Sequence, residues 1–246
     1  MRFAGVILRT NAIMASAFGA FLRATVMGFV LIGGSAAAHS LKELEGSLSQ
    51  KEAYFQIINK PAPDFLLQDA NGVRSSLASY SGKVIVLNFI YANCSDICPL
   101  HSERIAEIQD MVNRTPMKGL VEFISVTTDP EHDTADVLVE YGSVHGLDPS
   151  NWHFLTRTTD QLEASTRKLA EAYGHRFTPV DGQYQVHGIV THIIDRDGQW
   201  RANFHGLKFS PVNMVLFINA LTNDTHVKDP AKLEDRGFWS SIQKWF

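Results

Sequence analysis

The rhythm of apolar and polar positions changes several times along the chain, and each change marks an element. Val84-Ile85-Val86-Leu87-Asn88-Phe89-Ile90 is a nearly unbroken apolar run rich in β-branched residues, the composition of a strand covered on both faces. A polar turn holding Cys94 and Cys98 follows, and Pro99 then predicts the first residue of a helix, where a missing N–H costs nothing. Along that helix Ile105, Ile108 and Val112 recur at i, i+3 and i+7, one apolar stripe. Val121 to Val126 reads as a second buried strand, and Asp133 as the cap of a helix running through Tyr141 to Gly142.

Upstream, Pro61-Ala62-Pro63-Asp64-Phe65 opens the folded domain. Asn71-Gly72, between Phe65-Leu66-Leu67 and Val73-Arg74, is a hairpin-turn signal. Downstream, Trp152 to Leu155 predicts a third strand. Thr158-Thr159-Asp160-Gln161 fits a capping box for a helix with Leu162, Thr166, Leu169 and Tyr173 on one face. Ile189 to Ile194 and Trp200 to Phe204 predict a hairpin across Asp195-Arg196-Asp197-Gly198. Ser210-Pro211 then starts a helix with Val212, Val215, Leu216 and Asn219 on one side. Strands alternating with helices and closing on a hairpin plus helix predict an α/β, thioredoxin-like fold, a central mixed sheet flanked by helices with N- and C-terminal extensions. The expected organisation is a lead-in over 39–60, the domain over 61–222 and a tail over 223–246. The tail's Phe238-Trp239 and Trp245-Phe246 are expected to dock on the domain itself.

Charge sets the first 38 residues apart. They hold Arg2, Arg9 and Arg23, no acidic residue, an apolar run from Ala24 to Ile32, and then Gly33-Gly34-Ser35-Ala36-Ala37-Ala38. This predicts a cleaved signal peptide over 1–38 and a periplasmic protein, anchored at the inner membrane only if the leader is retained. The apolar core is about half the roughly 20 residues a membrane-spanning helix needs. Losing the leader's three arginines takes the formal charge from −4 to −7. An acidic chain without a basic stripe lacks the electrostatic footprint of a nucleic-acid binder. Membrane contact is expected only through an uncleaved leader or the aromatic tail.

Cys94 and Cys98 are the only cysteines, with three residues between them. A disulfide closing so short a loop constrains little of the unfolded chain, so a redox or metal role outweighs a structural staple. A helix N-terminus favours thiolate over thiol. Converging sulfurs can close a disulfide or hold one soft metal ion, and the commoner redox spacing has two intervening residues, which tilts toward metal. Of the ten histidines, His187 stands just before a strand expected beside the central one, so it faces the thiol loop; His192, an odd number of residues on, points to the opposite face. His101, one turn into the helix, reads as solvated, and His205 is a weaker candidate at a strand end. His132, His145, His153, His175 and His226 read as loop or surface residues, and His39 as a solvated terminus. Asp96 reads either as a helix-start acid or as tuning the thiols, and Asp129 and Asp133 read as turn and cap residues.

Over roughly residues 55–222 the chain resembles the Sco/SenC proteins, copper-binding thioredoxin-fold proteins of periplasm and mitochondrial inner membrane. The resemblance rests on the buried strand with Tyr91 and Cys94-Ser95-Asp96-Ile97-Cys98-Pro99, on Thr127-Thr128-Asp129-Pro130 with Asp133-Thr134, and on a His eleven residues before a hairpin glycine, His187 and Gly198. It implies copper ligation, as Cu(I) or Cu(II), by Cys94, Cys98 and His187. Ser95 stands where the family usually has proline, and Val186 where an acidic residue usually precedes the ligand His.

Two functions follow from the same residues. The first is a copper-binding assembly factor; two thiolates and an imidazole suit a soft ion, and the resemblance implies delivery to the binuclear copper centre of cytochrome c oxidase through one of its subunits, or exchange with another copper donor or acceptor protein. The second is a thiol–disulfide oxidoreductase in which Cys94 and Cys98 are catalytic, Cys94 attacking and Cys98 resolving, with His187 tuning them. A thiol peroxidase fits poorly, because Leu87 and Tyr91 stand where such enzymes carry proline and threonine before the reactive thiol.

Overall fold

The computed structural model describes residues 41–94, 97–180 and 183–223, with the backbone alone for 179, 180 and 183–187. Eight strands form one mixed sheet in the order β1-β10-β9-β4-β5-β6-β2-β3, and β7 and β8 form a separate two-stranded ribbon. The strands are β1 (Phe55–Pro61), β2 (Leu66–Asp69), β3 (Arg74–Ser76), β4 (Val84–Ile90), β5 (Val121–Thr127), β6 (Trp152–Thr156), β7 (Arg176–Val180), β8 (Gln183–His187), β9 (Val190–Ile194) and β10 (Gln199–His205). The helices are α1 (Leu41–Lys51), α2 (Ile97–Asn113), α3 (Ala135–Val144), α4 (Ser165–Ala172) and α5 (Pro211–Asn223).

All seven residues of β4 are buried, as its unbroken apolar run requires. The pleat sends Val84 and Val86 into one core with Ile105, Ile108 and Val112 of α2 and Phe217, Ile218 and Leu221 of α5. Ile85, Leu87 and Phe89 enter the opposite core with Leu169 and Tyr173. β4 pairs parallel with β5, Val84↔Val121 through Ile90↔Thr127, and antiparallel with β9, Ile85↔Ile194 to Leu87↔His192. β9 therefore enters the sheet at the end where β4 leaves it.

Both predicted turns form. Gly72 and Gly198 adopt positive φ (78° and 77°), the backbone freedom each tight turn demands. Asp69 Oδ1 accepts the N–H groups of Asn71 and Val73, and Asp195 Oδ1 those of Asp197 and Gln199.

Several elements differ from the sequence expectation. Residues 41–61 supply α1 and an edge strand, β1, paired antiparallel with β10 from Phe55↔Phe204 to Pro61↔Gln199. Arg201 of β10 reaches across to Glu45 of α1 (2.8 Å) and to Asp195 (3.1 Å). The expected α4 starts late: Thr158 N donates to Gln161 Oε1, but the helix begins at Ser165 and Leu162 is exposed. On α5 the buried stripe is Met214, Phe217, Ile218 and Leu221, with Val212 and Leu216 exposed. That helix is apolar nearly all round, so periodicity allowed two phases and packing chose the other.

The lead-in is fastened to the core by aromatic contacts. Phe204 packs against Phe55 (centroids 5.2 Å), Phe209 (5.4 Å) and Phe217 (6.3 Å). Phe204→Ala removes the ring common to all three, and the expected loss is about 3–5 kcal/mol. A urea titration reads it as a fall in midpoint at unchanged slope; a midpoint near wild type would mean the cavity closes without cost.

Candidate metal or redox site

The two cysteines meet where β4 gives way to α2. β4 ends at Ile90, Cys94 N donates to Tyr91 O (3.2 Å) in a tight turn, and α2 begins at Ile97. Cys98 is thus the second helical residue and Pro99 the third, two positions further in than expected, still where a backbone N–H has no intrahelical acceptor. Cys98 N donates to Cys94 Sγ (3.4 Å), so the first sulfur sits over the start of the helix and close to the second cysteine. Neither forms a disulfide.

The loop is less open than the sequence suggested. Cys94 is 6 % exposed and Cys98 1 %. Burial pushes the Cys98 thiol up to about 12, the Tyr91 backbone N–H opposes this, and the neighbouring Cys94 adds to the rise. For Cys98 desolvation overrides the stabilisation of thiolate expected from the helix N-terminus. Cys94 is the more exposed of the two by a small margin.

A carboxylate holds the loop from behind. Asp133 is 2 % exposed and accepts from Ala92 N with both oxygens (3.1 and 3.0 Å) and from Thr127 Oγ1. It joins the turn before Cys94 to the end of β5. Burial raises its pKa, while the bonds from Thr127 and Ala92 oppose the rise. The helix cap assigned to Asp133 belongs to Thr134, which accepts from Val137 N. Nothing local in the sequence signals this role, because the partners lie 41 and 6 residues away. Asp129 does form a turn, its carboxylate bonded to His132 Nδ1 (2.9 Å). Tyr141 adds a second brace, its hydroxyl 2.9 Å from Ser102 Oγ on the first turns of α2.

The histidines sort differently from their sequence reading. His187 ends β8, its backbone paired with Arg176, and Gly188 and Ile189 then lead into β9 at the sheet end shared with the thiol loop. The side chain of His187 lies outside the described residues, as do Ser95, Asp96, the side chain of Val186, and residues 1–40 and 224–246 with the leader, His39, His226 and the aromatic tail. Among the described residues no three His, Cys, Asp or Glu side chains form a metal-sized cluster. His101, expected in solvent, is 1 % exposed with Nε2 2.8 Å from Thr191 Oγ1. His175, expected at the surface, is buried with Nε2 2.9 Å from Nε2 of the fully buried His192. His153 lies within β6, its Nε2 2.9 Å from Glu122 Oε2. His205 Nε2 lies 2.9 Å from Gln56 Oε1. The ribbon β7–β8 itself was missed, although Gln183-Tyr184-Gln185-Val186 alternates polar with apolar as a strand does.

A mixed sheet with helices on its faces and a dithiol loop opening a helix beside the central strand defines a thioredoxin-like protein with a paired-cysteine site. The chain belongs to the SCO1/SenC family, whose description matches residues 58–222. It is similar to the SCO1 protein homolog of Bacillus subtilis (strain 168), 25 % identical over 160 residues, covering 65 % of this chain and 81 % of that one. The fold matches that of BsSco, described as a member of the Sco family of cytochrome c oxidase assembly proteins with a disulfide switch, at TM-score 0.60 and 22 % identity, over 68 % of this chain and 96 % of the other. It is also similar to Bradyrhizobium japonicum ScoI, solved with copper bound, at TM-score 0.54 and 26 % identity, over 65 % and 99 % of the respective chains.

The buried histidines make an acid-sensitive core. Burial, reinforced by the neighbouring His175, holds His101 down to about 4; burial, reinforced by His205, does the same to His175; and burial, reinforced by His175, lowers His192. Unfolding releases each ring to an ordinary value near 6.5, so below that pH the unfolded chain binds more protons than the folded one. Stability is fully present above about pH 6.5 and is lost as pH falls toward about 4. Urea midpoints at pH 7 and pH 5 should differ by a clear loss at the lower pH; equal midpoints would mean the rings are already charged or exposed.

Proposed function

We propose that this chain is a periplasmic copper carrier that takes part in assembling cytochrome c oxidase, holding copper as cargo between Cys94, Cys98 and His187. The observation that carries the reading is the meeting of both cysteines in one turn, Cys98 N on Cys94 Sγ at 3.4 Å, at the sheet end where the chain passes from His187 into β9. Two soft sulfurs and an imidazole nitrogen suit copper in either oxidation state and discriminate against hard cations. Membership of the SCO1/SenC family and the copper in the related ScoI support the choice of ion. The description of BsSco as one of a family of cytochrome c oxidase assembly proteins supports a part in assembling that enzyme. The periplasmic location rests on the leader-like first 38 residues; among the described residues no helix is long and apolar enough to cross a membrane.

In this reading the protein's own part is to shield both thiols and to keep that of Cys98 protonated until copper displaces its proton. A Cys98 thiol at about 12 is a poor nucleophile at neutral pH but a full thiolate ligand once the ion is present. Uptake then releases protons, and apparent affinity rises with pH, by about tenfold per pH unit for each proton displaced. Asp133 and Tyr141 keep the loop in place through that exchange, while release to an acceptor needs the loop to open because both cysteines are buried.

The second reading is thiol–disulfide exchange with a partner protein, favoured by the same closeness of Cys94 and Cys98. Copper titration of the reduced protein separates the two. Wild type should bind one Cu(I), and Cys94→Ser, Cys98→Ser and His187→Ala should each weaken binding by at least about tenfold, the size that even indirect changes around a metal produce. His187→Ala should leave reduction of a partner disulfide largely intact. Wild-type copper affinity in His187→Ala would remove that residue from the site, and no copper uptake at all would leave the exchange reading in possession.

A further inference from the structure

We infer that His175 is the peg that seats the base of the β7–β8 ribbon on the sheet, and so acts as a positioning residue for the copper ligand that ribbon carries. The inference rests on the proposed ligand role of His187. The ribbon forms its own two-stranded sheet and makes no ladder with the eight-stranded one. Its two strands begin and end at the paired residues Arg176 and His187, so whatever fixes the chain just before Arg176 fixes the level from which His187 is presented. That residue is His175, whose ring is 6 % exposed and driven into the sheet. It meets Phe89 of β4 edge-on at 4.9 Å and His192 of β9 at 5.2 Å between ring centroids. β4 leads to Cys94, and β9 is the strand into which His187 leads. One buried ring thus touches both strands that leave or enter the candidate site.

The hydrogen bonds make the contact directional. Asn203 Oδ1 accepts from Trp200 Nε1 (2.8 Å), which fixes it as the oxygen, so His192 Nδ1 must donate to it across 2.7 Å. A neutral His192 then has a lone pair on Nε2, and the His175 Nε2 that faces it at 2.9 Å must donate. The relay Trp200–Asn203–His192–His175 therefore has a single tautomeric arrangement and ends on His175 Nδ1, which has no partner among the described residues. An apolar side chain would fill the same space without leaving a bare ring nitrogen in the core. What the histidine adds is a bond that fixes orientation, the use to which a satisfied buried polar chain is suited. Phe177, partly buried against the same core, supplies contact but no direction.

The test uses the full chain and copper alone. His175→Phe fills the pocket and breaks the bond; His175→Gln keeps an N–H near the position of Nε2; His192→Phe breaks the bond from the sheet side. His175→Phe and His192→Phe should each lower Cu(I) affinity by about tenfold or more, as loss of outer support does in other metal sites. Both should alter the Cu(II)–thiolate absorption and speed amide exchange over residues 176–187 while β4 and β5 stay protected. His175→Gln should stay close to wild type in all three. Wild-type affinity and spectrum in either Phe variant overturn the inference, and so does a His175→Gln variant as impaired as His175→Phe. Should one Phe variant fail to fold, the other and His175→Gln decide. His187→Ala is the reference: unchanged copper affinity there defeats the ligand set instead, and amide exchange of the ribbon alone then judges the peg.

Discussion

Hydrogen bonds along both edges of β4 determine where everything else in this molecule can go. A strand with parallel β5 on one side and antiparallel β9 on the other has no free edge, and its seven residues are all buried. The chain can leave such a strand only at its ends. At the C-terminal end of β4 the connection must turn, pass Cys94 and start α2, whose second residue is Cys98; at the same end β5 stops at Thr127 and β9 begins at Val190. Loops after parallel strands gather at one edge of an α/β sheet, and the antiparallel partner delivers its start there too. The dithiol, the Asp133 carboxylate and the chain bearing His187 are neighbours for that topological reason.

What the sequence disclosed follows the same division. Elements whose burial is dictated by their own composition were legible: β4 and β5 as apolar runs, the Ile105, Ile108 and Val112 stripe of α2, and the Asn71-Gly72 and Asp195–Gly198 turns. Elements defined by a distant partner were not. β1 is an edge strand with a mostly exposed pattern, so its seven residues carry little apolar periodicity, and only β10 makes it a strand. α5 is apolar on two sides, and the choice between Val212–Leu216 and Met214–Phe217 belongs to the sheet it packs on. The cysteine pair was legible because its two members are local. The Asp133 tie, the reach of Arg201 to Glu45 and the burial of His101 and His175 were not, since each is a long-range contact of a polar residue whose composition predicts solvent.

Those misplaced polar residues are where this fold departs from the simplest way of filling a core. Among the described residues three histidines are buried, with carbonyl, hydroxyl or imidazole partners and no carboxylate bonded to them. Burial depresses all three, so at neutral pH they serve as neutral donors and acceptors. Neutral rings can be linked in series, each fixing the tautomer of the next, whereas charged ones would repel. The core therefore gains direction at the cost of acid tolerance.

A parallel trade governs the dithiol. Desolvation makes Cys98 a weak acid, which slows any reaction that needs a free thiolate, including attack by peroxide or by a foreign disulfide. It would penalise a metal-bound thiolate less, because a soft cation brings its own charge into a low-dielectric pocket and offsets the desolvation that burdens a bare anion. Burial thus separates two chemistries that the same pair of cysteines supports in water. The Asp133 carboxylate stands one layer back: through Ala92 N and Thr127 it ties the turn before Cys94 to the end of β5, so the position of the first sulfur is set by the sheet as well as by its own short loop.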